Sequence, residues 1–104
     1  MPTTRSGPDE RLYIVTYDIS DPRRWRRVYK TMQGYGDWIQ LSVFQCRLTR
    51  RRRAELEVKL RELVNASEDS VLLIAVGPAE GVELKIECIG RRSYKPIERK
   101  SIVI

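Results

Sequence analysis

Histidine is absent from this chain of 104 residues, and cysteine occurs only twice. Without an imidazole, the chain cannot perform Ser-His-Asp or Cys-His catalysis, and histidine cannot shuttle protons near neutral pH. A metal ion would need oxygen ligands, which restricts the choice to hard cations such as Mg²⁺, Mn²⁺ or Ca²⁺. The two cysteines, Cys46 and Cys88, lie far apart in apolar strand patterns, so we expect buried, reduced thiols.

Long apolar runs are also absent, since no segment of the sequence approaches the roughly 18 apolar residues of a membrane span. The first ten residues, MPTTRSGPDE, contain Pro, Gly and polar side chains but no apolar signal-peptide core. We therefore expect a cytoplasmic protein without a membrane partner, in which residues 1–10 form a disordered tail. Residues 11–104 suffice for one two-layer domain, but not for two separate cores.

Positive charge is abundant, because 20 Lys and Arg outnumber 14 Asp and Glu and give a net charge of +6. Half of the basic residues fall in two short segments, which are Arg23, Arg24, Arg26, Arg27 and Lys30, and Arg47, Arg50, Arg51, Arg52 and Arg53. Such clusters are typical of surfaces that contact nucleic-acid phosphates without reading bases. The alternative for Arg50 to Arg53 is a solvated helix face.

The chain is organised around the stretch LYIVTYDISD at residues 12–21, which contains two acidic residues, Asp18 and Asp21. Its apolar alternation predicts a β-strand over residues 11–19, and Asp18 lies near the end of that strand. A buried carboxylate must be paired, hydrogen-bonded or bound to a cation, so Asp18 is the first candidate for a metal ligand. The alternative is that Asp18 leaves the strand at the surface or accepts hydrogen bonds from the following turn.

Two helices are predicted from capping residues and apolar spacing. Asp21 is expected to be an N-cap before Pro22, although it could also bind a metal through water. Apolar residues recur at helical spacing in both segments: Trp25, Val28, Tyr29 and Met32 in the first, and Leu56, Leu60, Leu63 and Val64 in the second. We expect Trp25 and Tyr29 to be core residues rather than base-stacking ones. Gly34 suits a left-handed position after the first helix, and the second helix is predicted over residues 49–65.

The remaining strands are predicted over residues 38–48, 70–76, 82–88 and 101–104. The run at 70–76, SVLLIAV, is typical of a central strand covered on both faces. Read literally and without the terminal strand at 101–104, the order is βαβαββ. A ferredoxin-like (βαββαβ) α+β sandwich therefore requires that residues 38–48 make two pairings, or that terminal strands pair outside the protomer. Strand addition by the C-terminal SIVI to a second copy would satisfy its backbone.

Several segments resemble the CRISPR-associated Cas2 family in order and spacing over about residues 11–104. They are YIVTYDIS, DPRRWRRV, IQLSVF, ELKIECIG and the terminal ERKSIVI. The resemblance implies a ferredoxin-like homodimer with a C-terminal strand pairing at the subunit interface. It also implies an endonuclease acting on RNA or double-stranded DNA, with Mg²⁺ or Mn²⁺ as cofactor, and a role in spacer acquisition with the Cas1 integrase.

The resemblance also implies roles for individual residues. Asp18 is the catalytic, metal-binding acid and faces Asp18 of the second subunit across a two-fold axis. Tyr17, Ser42 and Phe44 line the cleft between the subunits, and Arg27 matches a basic position of the first helix. The alternative function is a non-catalytic adaptor that binds duplex DNA in the integration complex. An RNA-recognition module is disfavoured because no strand carries the aromatic pattern that stacks bases.

Overall fold

The computed structural model describes residues 9–90, in which two helices and four strands follow in the order βαββαβ. The elements are β1 (Arg11–Asp18), α1 (Pro22–Met32), β2 (Asp37–Gln40), β3 (Val43–Leu48), α2 (Arg50–Leu63) and β4 (Ser70–Pro78). The sheet order is β2-β3-β1-β4, and every neighbouring pair is antiparallel. This topology confirms the ferredoxin-like protomer. None of the helices in this part of the chain is long and apolar enough to cross a bilayer.

The segment predicted as one strand over residues 38–48 is two strands, so the literal order βαβαββ is wrong. The chain reverses at Leu41, which has a positive φ of 41°, and at Ser42. The indole Nε1 of Trp38 donates a hydrogen bond to the Leu41 carbonyl at 3.0 Å and holds the turn. The segment therefore makes the two pairings that the ferredoxin-like arrangement requires.

Both helices pack on one face of the sheet. Alternate residues of β1 and β3 point to this face, which also receives the apolar stripes of the helices. The buried core consists of Val15, Tyr17, Val28, Met32, Phe44, Cys46, Leu48, Leu56 and Leu60. Trp25 and Tyr29 are partly buried and pack against it with stacked rings 5.4 Å apart, which favours the core interpretation over base stacking.

The helix N-caps are confirmed, whereas the helix ends differ from the prediction. The Asp21 side chain accepts hydrogen bonds from the amides of Arg23 and Arg24, and Thr49 caps α2. Gly34 does not have a positive φ, because the end of α1 tightens and the Gly34 amide donates to the Thr31 carbonyl at 3.0 Å. Helix α2 ends at Leu63, two residues earlier than predicted.

The strand predicted to be central and covered on both faces, β4, lies at an edge of the sheet within residues 9–90. Its outward face exposes Leu72, Ile74 and Val76 by 58%, 47% and 45%. The prediction is wrong because both helices occupy the opposite face of the sheet. We call the uncovered side, which carries these three residues, the open face.

A clamped turn redirects the chain after β4. The Val82 amide donates to the Ala79 carbonyl, and Gly81 has a positive φ of 77°. The guanidinium of Arg47, on the open face of β3, donates to the carbonyls of Ala79 and Val82 at 2.8 and 2.9 Å. The turn therefore has a fixed position on the sheet.

Residues 82–88 do not form the predicted strand. In the described part of the chain, residues 82–89 make no ladder with the sheet. Cys88 is exposed rather than buried, whereas Cys46 is buried as predicted. The predicted strand 101–104 and most of the predicted tail lie outside the described residues.

Gly36 is needed where the chain enters β2. A Cβ at this position would lie 2.4 Å from both the Cys46 sulfur and the Gln45 carbonyl oxygen. We expect Gly36→Ala to lower the free energy of unfolding by about 2 kcal/mol, because the added methyl group overpacks a backbone contact. Urea denaturation measures this change.

Gly34→Ala is the matched control, since its Cβ would come no closer than 3.5 Å to Thr31 and its φ is not positive. The change for Gly34→Ala should lie within about 1 kcal/mol of zero. Equal losses for the two variants would contradict the steric role of Gly36.

Candidate metal-binding acid and nucleic-acid interface

Asp18 is the last residue of β1, where it pairs with Ser70 of β4. Side chains alternate along a strand, so Asp18 lies on the same face as Ile14 and Thr16, which is the open face. The side chain is exposed, and its carboxylate has no hydrogen-bond or ion-pair partner within residues 9–90. Both carboxylate oxygens are therefore available to an external ligand.

Residues 9–90 do not by themselves complete a cation site around Asp18. Within the part of the chain that the structure describes, no three Asp, Glu or Cys residues lie close enough together to hold a metal ion. The Asp18 carboxylate suits a hard cation such as Mg²⁺, but further protein ligands would have to come from outside residues 9–90, for example from a second copy. Its open-face position is compatible with such sharing.

Asp21 acts as the N-cap of α1. Its Oδ2 accepts hydrogen bonds from the amides of Arg23 and Arg24, both at 3.0 Å. The bond from Arg24 is the main cause of the lowered pKa of Asp21. The structure thus favours the N-cap interpretation that the sequence left open.

Asp69 connects the segments on either side of Asp18, and sequence reasoning did not identify it. Its side chain has no exposed area. It accepts hydrogen bonds from the Ser20 amide at 3.1 Å, the Asn65 amide at 2.8 Å and the Arg24 Nε at 2.8 Å. The Arg24 bond, followed by the two amide bonds, holds the pKa of Asp69 well below its usual range. We call this set of contacts the Asp69 hub.

The Asp69 hub positions Asp18 indirectly. It ties the loop that follows Asp18 to the residue before Ser70, the β4 partner of Asp18. It also occupies Arg24, which donates to Glu68 at 2.9 Å as well. Arg24 therefore has an intramolecular role that distinguishes it from the other predicted nucleic-acid-binding residues.

The three residues predicted to line a subunit cleft lie beneath α1 or beside it. Tyr17 and Phe44 are buried in the core and point away from the face that carries Asp18. Burial raises the pKa of Tyr17, whose hydroxyl has no hydrogen-bond partner within the described residues. The Ser42 hydroxyl accepts a bond from the indole of Trp25 at 2.7 Å. Their role at a subunit cleft concerns a second copy and stays a prediction.

Within residues 9–90, helix α1 presents the strongest uncompensated positive charge. It contains five cations and no acidic residue. Four of these cations have no ion pair within residues 9–90 and line one shallow hollow of about 490 Å³ together with Tyr29 and Gln33. These four residues, which we call the α1 basic surface, are Arg23, Arg26, Arg27 and Lys30.

Three of the four arginines at the start of α2 are engaged within the chain. Arg51 lies 3.8 Å from Glu55, and Arg53 forms an ion pair with Glu57. Arg52 stacks over the Tyr35 ring at 4.4 Å and donates to the Gly34 carbonyl at 2.8 Å. The two predicted basic segments therefore differ, because the positive charge of α1 is less neutralised by contacts within the chain.

Comparison with known proteins is consistent with this architecture. A family model described as CRISPR associated protein Cas2 matches residues 11–80. The CRISPR-associated endoribonuclease Cas2 of Geobacter sulfurreducens is 52% identical over 95 residues, which cover 91% of this chain and 99% of that protein. The CRISPR-associated endoribonuclease Cas2 1 of Rhodospirillum rubrum is 48% identical over 101 residues, covering 97% and 98%. A crystal structure of a Cas2 protein aligns with a TM-score of 0.66 and 34% identity, over 79% of this chain and 88% of that one.

The lowered pKa of Asp69 makes the Asp69 hub sensitive to acid. The ionised form is the bonded one, so its stabilisation is present above the unfolded-state pKa of about 4 and is lost as pH falls towards the lower folded-state pKa. We expect Asp69→Asn to lower the melting temperature at pH 7 by about 5–10 °C. This difference should shrink when both proteins are measured by circular dichroism at pH 3.

Asp21 and Glu57 also have lowered pKa values, but both residues are present in wild type and variant, so the comparison isolates Asp69. Glu62→Gln, an exposed carboxylate on α2, is the control and should leave the melting temperature nearly unchanged. A deficit of Asp69→Asn that is constant from pH 7 to pH 3 would show that its charge has no such role.

Proposed function

Because the chain belongs to the CRISPR-associated protein Cas2 family, we propose that it is a metal-dependent endonuclease that works as a homodimer. Its substrate would be the phosphodiester backbone of RNA or double-stranded DNA. The names of its relatives support nuclease action, and the available carboxylate of Asp18 on the open face is the observation that carries the assignment of the site.

Asp18 would act together with Asp18 of a second copy. Two carboxylates brought close together cannot both ionise at low cost unless they share a proton or a cation. With Asp18 from each subunit as ligand, bound Mg²⁺ or Mn²⁺ would supply Lewis-acid stabilisation of phosphoryl charge and an activated water. The Asp69 hub would keep the Asp18 strand end in register while the α1 basic surface positions the phosphate backbone.

The open face supports the homodimer. Exposed apolar side chains that are contiguous on a soluble protein mark an interaction surface. Leu72 and Ile74 pair across the sheet with Thr16 and Ile14, so the apolar surface continues from β4 to the strand that ends in Asp18. Two-fold packing of open faces would therefore bring both Asp18 residues to a common edge. The proposed pairing of the C-terminal strand would add to this interface.

The second candidate function is a non-catalytic adaptor that binds duplex DNA during spacer acquisition. The α1 basic surface favours it, because these four cations can contact phosphates without any contribution from Asp18. In this case the chain would dock the Cas1 integrase through its C-terminal strand. The two functions can coexist on one dimer.

Asp18→Asn tests the catalytic assignment. It removes the ionised ligand but keeps the size of the side chain, so we expect cleavage to fall about 100-fold or more while nucleic-acid binding is retained. Cleavage of single-stranded RNA and duplex DNA is measured with and without Mg²⁺. Binding is measured by fluorescence anisotropy.

Glu62→Gln is the matched control for the loss of an exposed carboxylate and should cleave as wild type does. Cleavage by Asp18→Asn at the wild-type rate would exclude Asp18 as the metal-binding acid. Absence of cleavage by the wild type, with intact duplex binding, would favour the adaptor.

Leu72→Glu tests the dimer. A glutamate on each open face would place like charges across an apolar two-fold interface, so we expect dimerisation to weaken by roughly 100-fold or more. Analytical ultracentrifugation measures the dissociation constant. Val58→Glu is the control, because Val58 is equally exposed, at 57%, but lies on α2. An unaltered dimer of Leu72→Glu would place the interface elsewhere.

A further inference from the structure

A second basic hollow lies at the end of β1 opposite to Asp18. It has a volume of about 530 Å³ and is lined by Asp9, Arg11, Tyr13, Leu48, Arg50 and Arg53. Arg11 begins β1 and Asp18 ends it, so about 23 Å of strand separates the two sites. The hollow is therefore distinct from the proposed metal site, and none of the residues of the α1 basic surface lines it.

The fold brings the three arginines together from distant parts of the sequence. Arg11 pairs with Leu48 across β1 and β3. The chain then passes through the Thr49 cap directly into α2, where Arg50 and Arg53 lie one turn apart on one helix face. Arg11 is on the helix-covered side of the sheet, because it alternates with Tyr13 and Val15 in β1. Strand pairing and the start of the helix thus place three arginines around one hollow.

The charge of this hollow is incompletely balanced within the chain. Arg53 is paired with Glu57 and lies over the Tyr13 ring at 5.8 Å. Arg11 and Arg50 are exposed and have no ion pair within residues 9–90. The acidic residue in the lining, Asp9, offsets part of the excess. Guanidinium groups around one hollow repel each other, and a bound anion would relieve that repulsion.

We propose that this hollow binds a phosphate monoester, and specifically the terminal phosphate of a polynucleotide strand. A monoester carries nearly two negative charges at neutral pH and three acceptor oxygens, whereas an internal phosphodiester carries one charge. Two unpaired guanidinium groups match the monoester in charge and can bind it through paired hydrogen bonds. The choice of a polynucleotide end, rather than a free mononucleotide, rests on the proposed function.

The experiment compares the affinity for duplexes that differ only at their ends. Fluorescence anisotropy in EDTA, which prevents cleavage, measures binding of one duplex with 5′-phosphate or with 5′-hydroxyl ends. We expect wild type to bind the phosphorylated duplex about tenfold more tightly. The double variant Arg11→Ala/Arg50→Ala should lose this preference and bind the two duplexes with equal affinity. Both side chains are exposed, and circular dichroism verifies folding of the variant.

Arg26→Ala/Arg27→Ala is the matched control, because it removes two exposed arginines from the α1 basic surface. It should weaken binding of both duplexes equally and keep the tenfold preference. Equal affinity of wild type for the two duplexes would overturn the proposal while leaving nucleic-acid binding intact.

Failure to bind either duplex would instead overturn the nucleic-acid part of the proposed function. Titration with adenosine monophosphate and with inorganic phosphate, followed by NMR of the arginine side chains, then tests the hollow itself. Shifts of Arg11 and Arg50 that the double variant loses would support a monoester site for free ligands. Absence of shifts in both titrations would overturn the site.

Discussion

The contact on which this structure depends most is the buried carboxylate of Asp69. Its side chain accepts hydrogen bonds from the loop after β1, from the segment that follows α2 and from a guanidinium on α1. A charged group without exposed area is stable only when its acceptor positions are filled, and here they are filled by three segments that must come together. The same carboxylate fixes the loop after Asp18 and pairs with Arg24. It therefore links the stability of the fold to the geometry of the candidate site.

The alternation of β1 divides the functions of the protomer between two faces. Tyr13, Val15 and Tyr17 point to the helices, whereas Ile14, Thr16 and Asp18 point to the open face. The apolar core and the α1 basic surface therefore lie on one side of the sheet, and the candidate metal ligand lies on the other. The proposed dimer would use this division, because joining the open faces would bring the two acids to a common edge and leave both α1 basic surfaces outside.

Local signals in the sequence predicted β1, both helices and their N-caps, since Asp21-Pro22 and Thr49 act through neighbouring residues. The reversal at Leu41 could not be predicted in the same way, because that turn contains no Gly, Pro or Asn and the alternation continues across it. Asp69 was missed because its key partners, Ser20 and Arg24, lie 49 and 45 residues away. The only local signals are the acidic pair at 68–69 before an apolar strand and Asn65 four residues earlier.

The composition of β4 predicted a buried strand. An interface between two copies of the chain would explain why β4 is exposed in the protomer. Apolar side chains cannot indicate whether a helix or a second copy covers them. Arg47 supports the second copy, because it lies on the open face, where an unpaired charge would oppose apolar packing. Its guanidinium instead donates to the carbonyls of Ala79 and Val82. Two N–H donors of this guanidinium are thus already bonded within its own chain, so burial of the face would leave fewer polar groups without a partner.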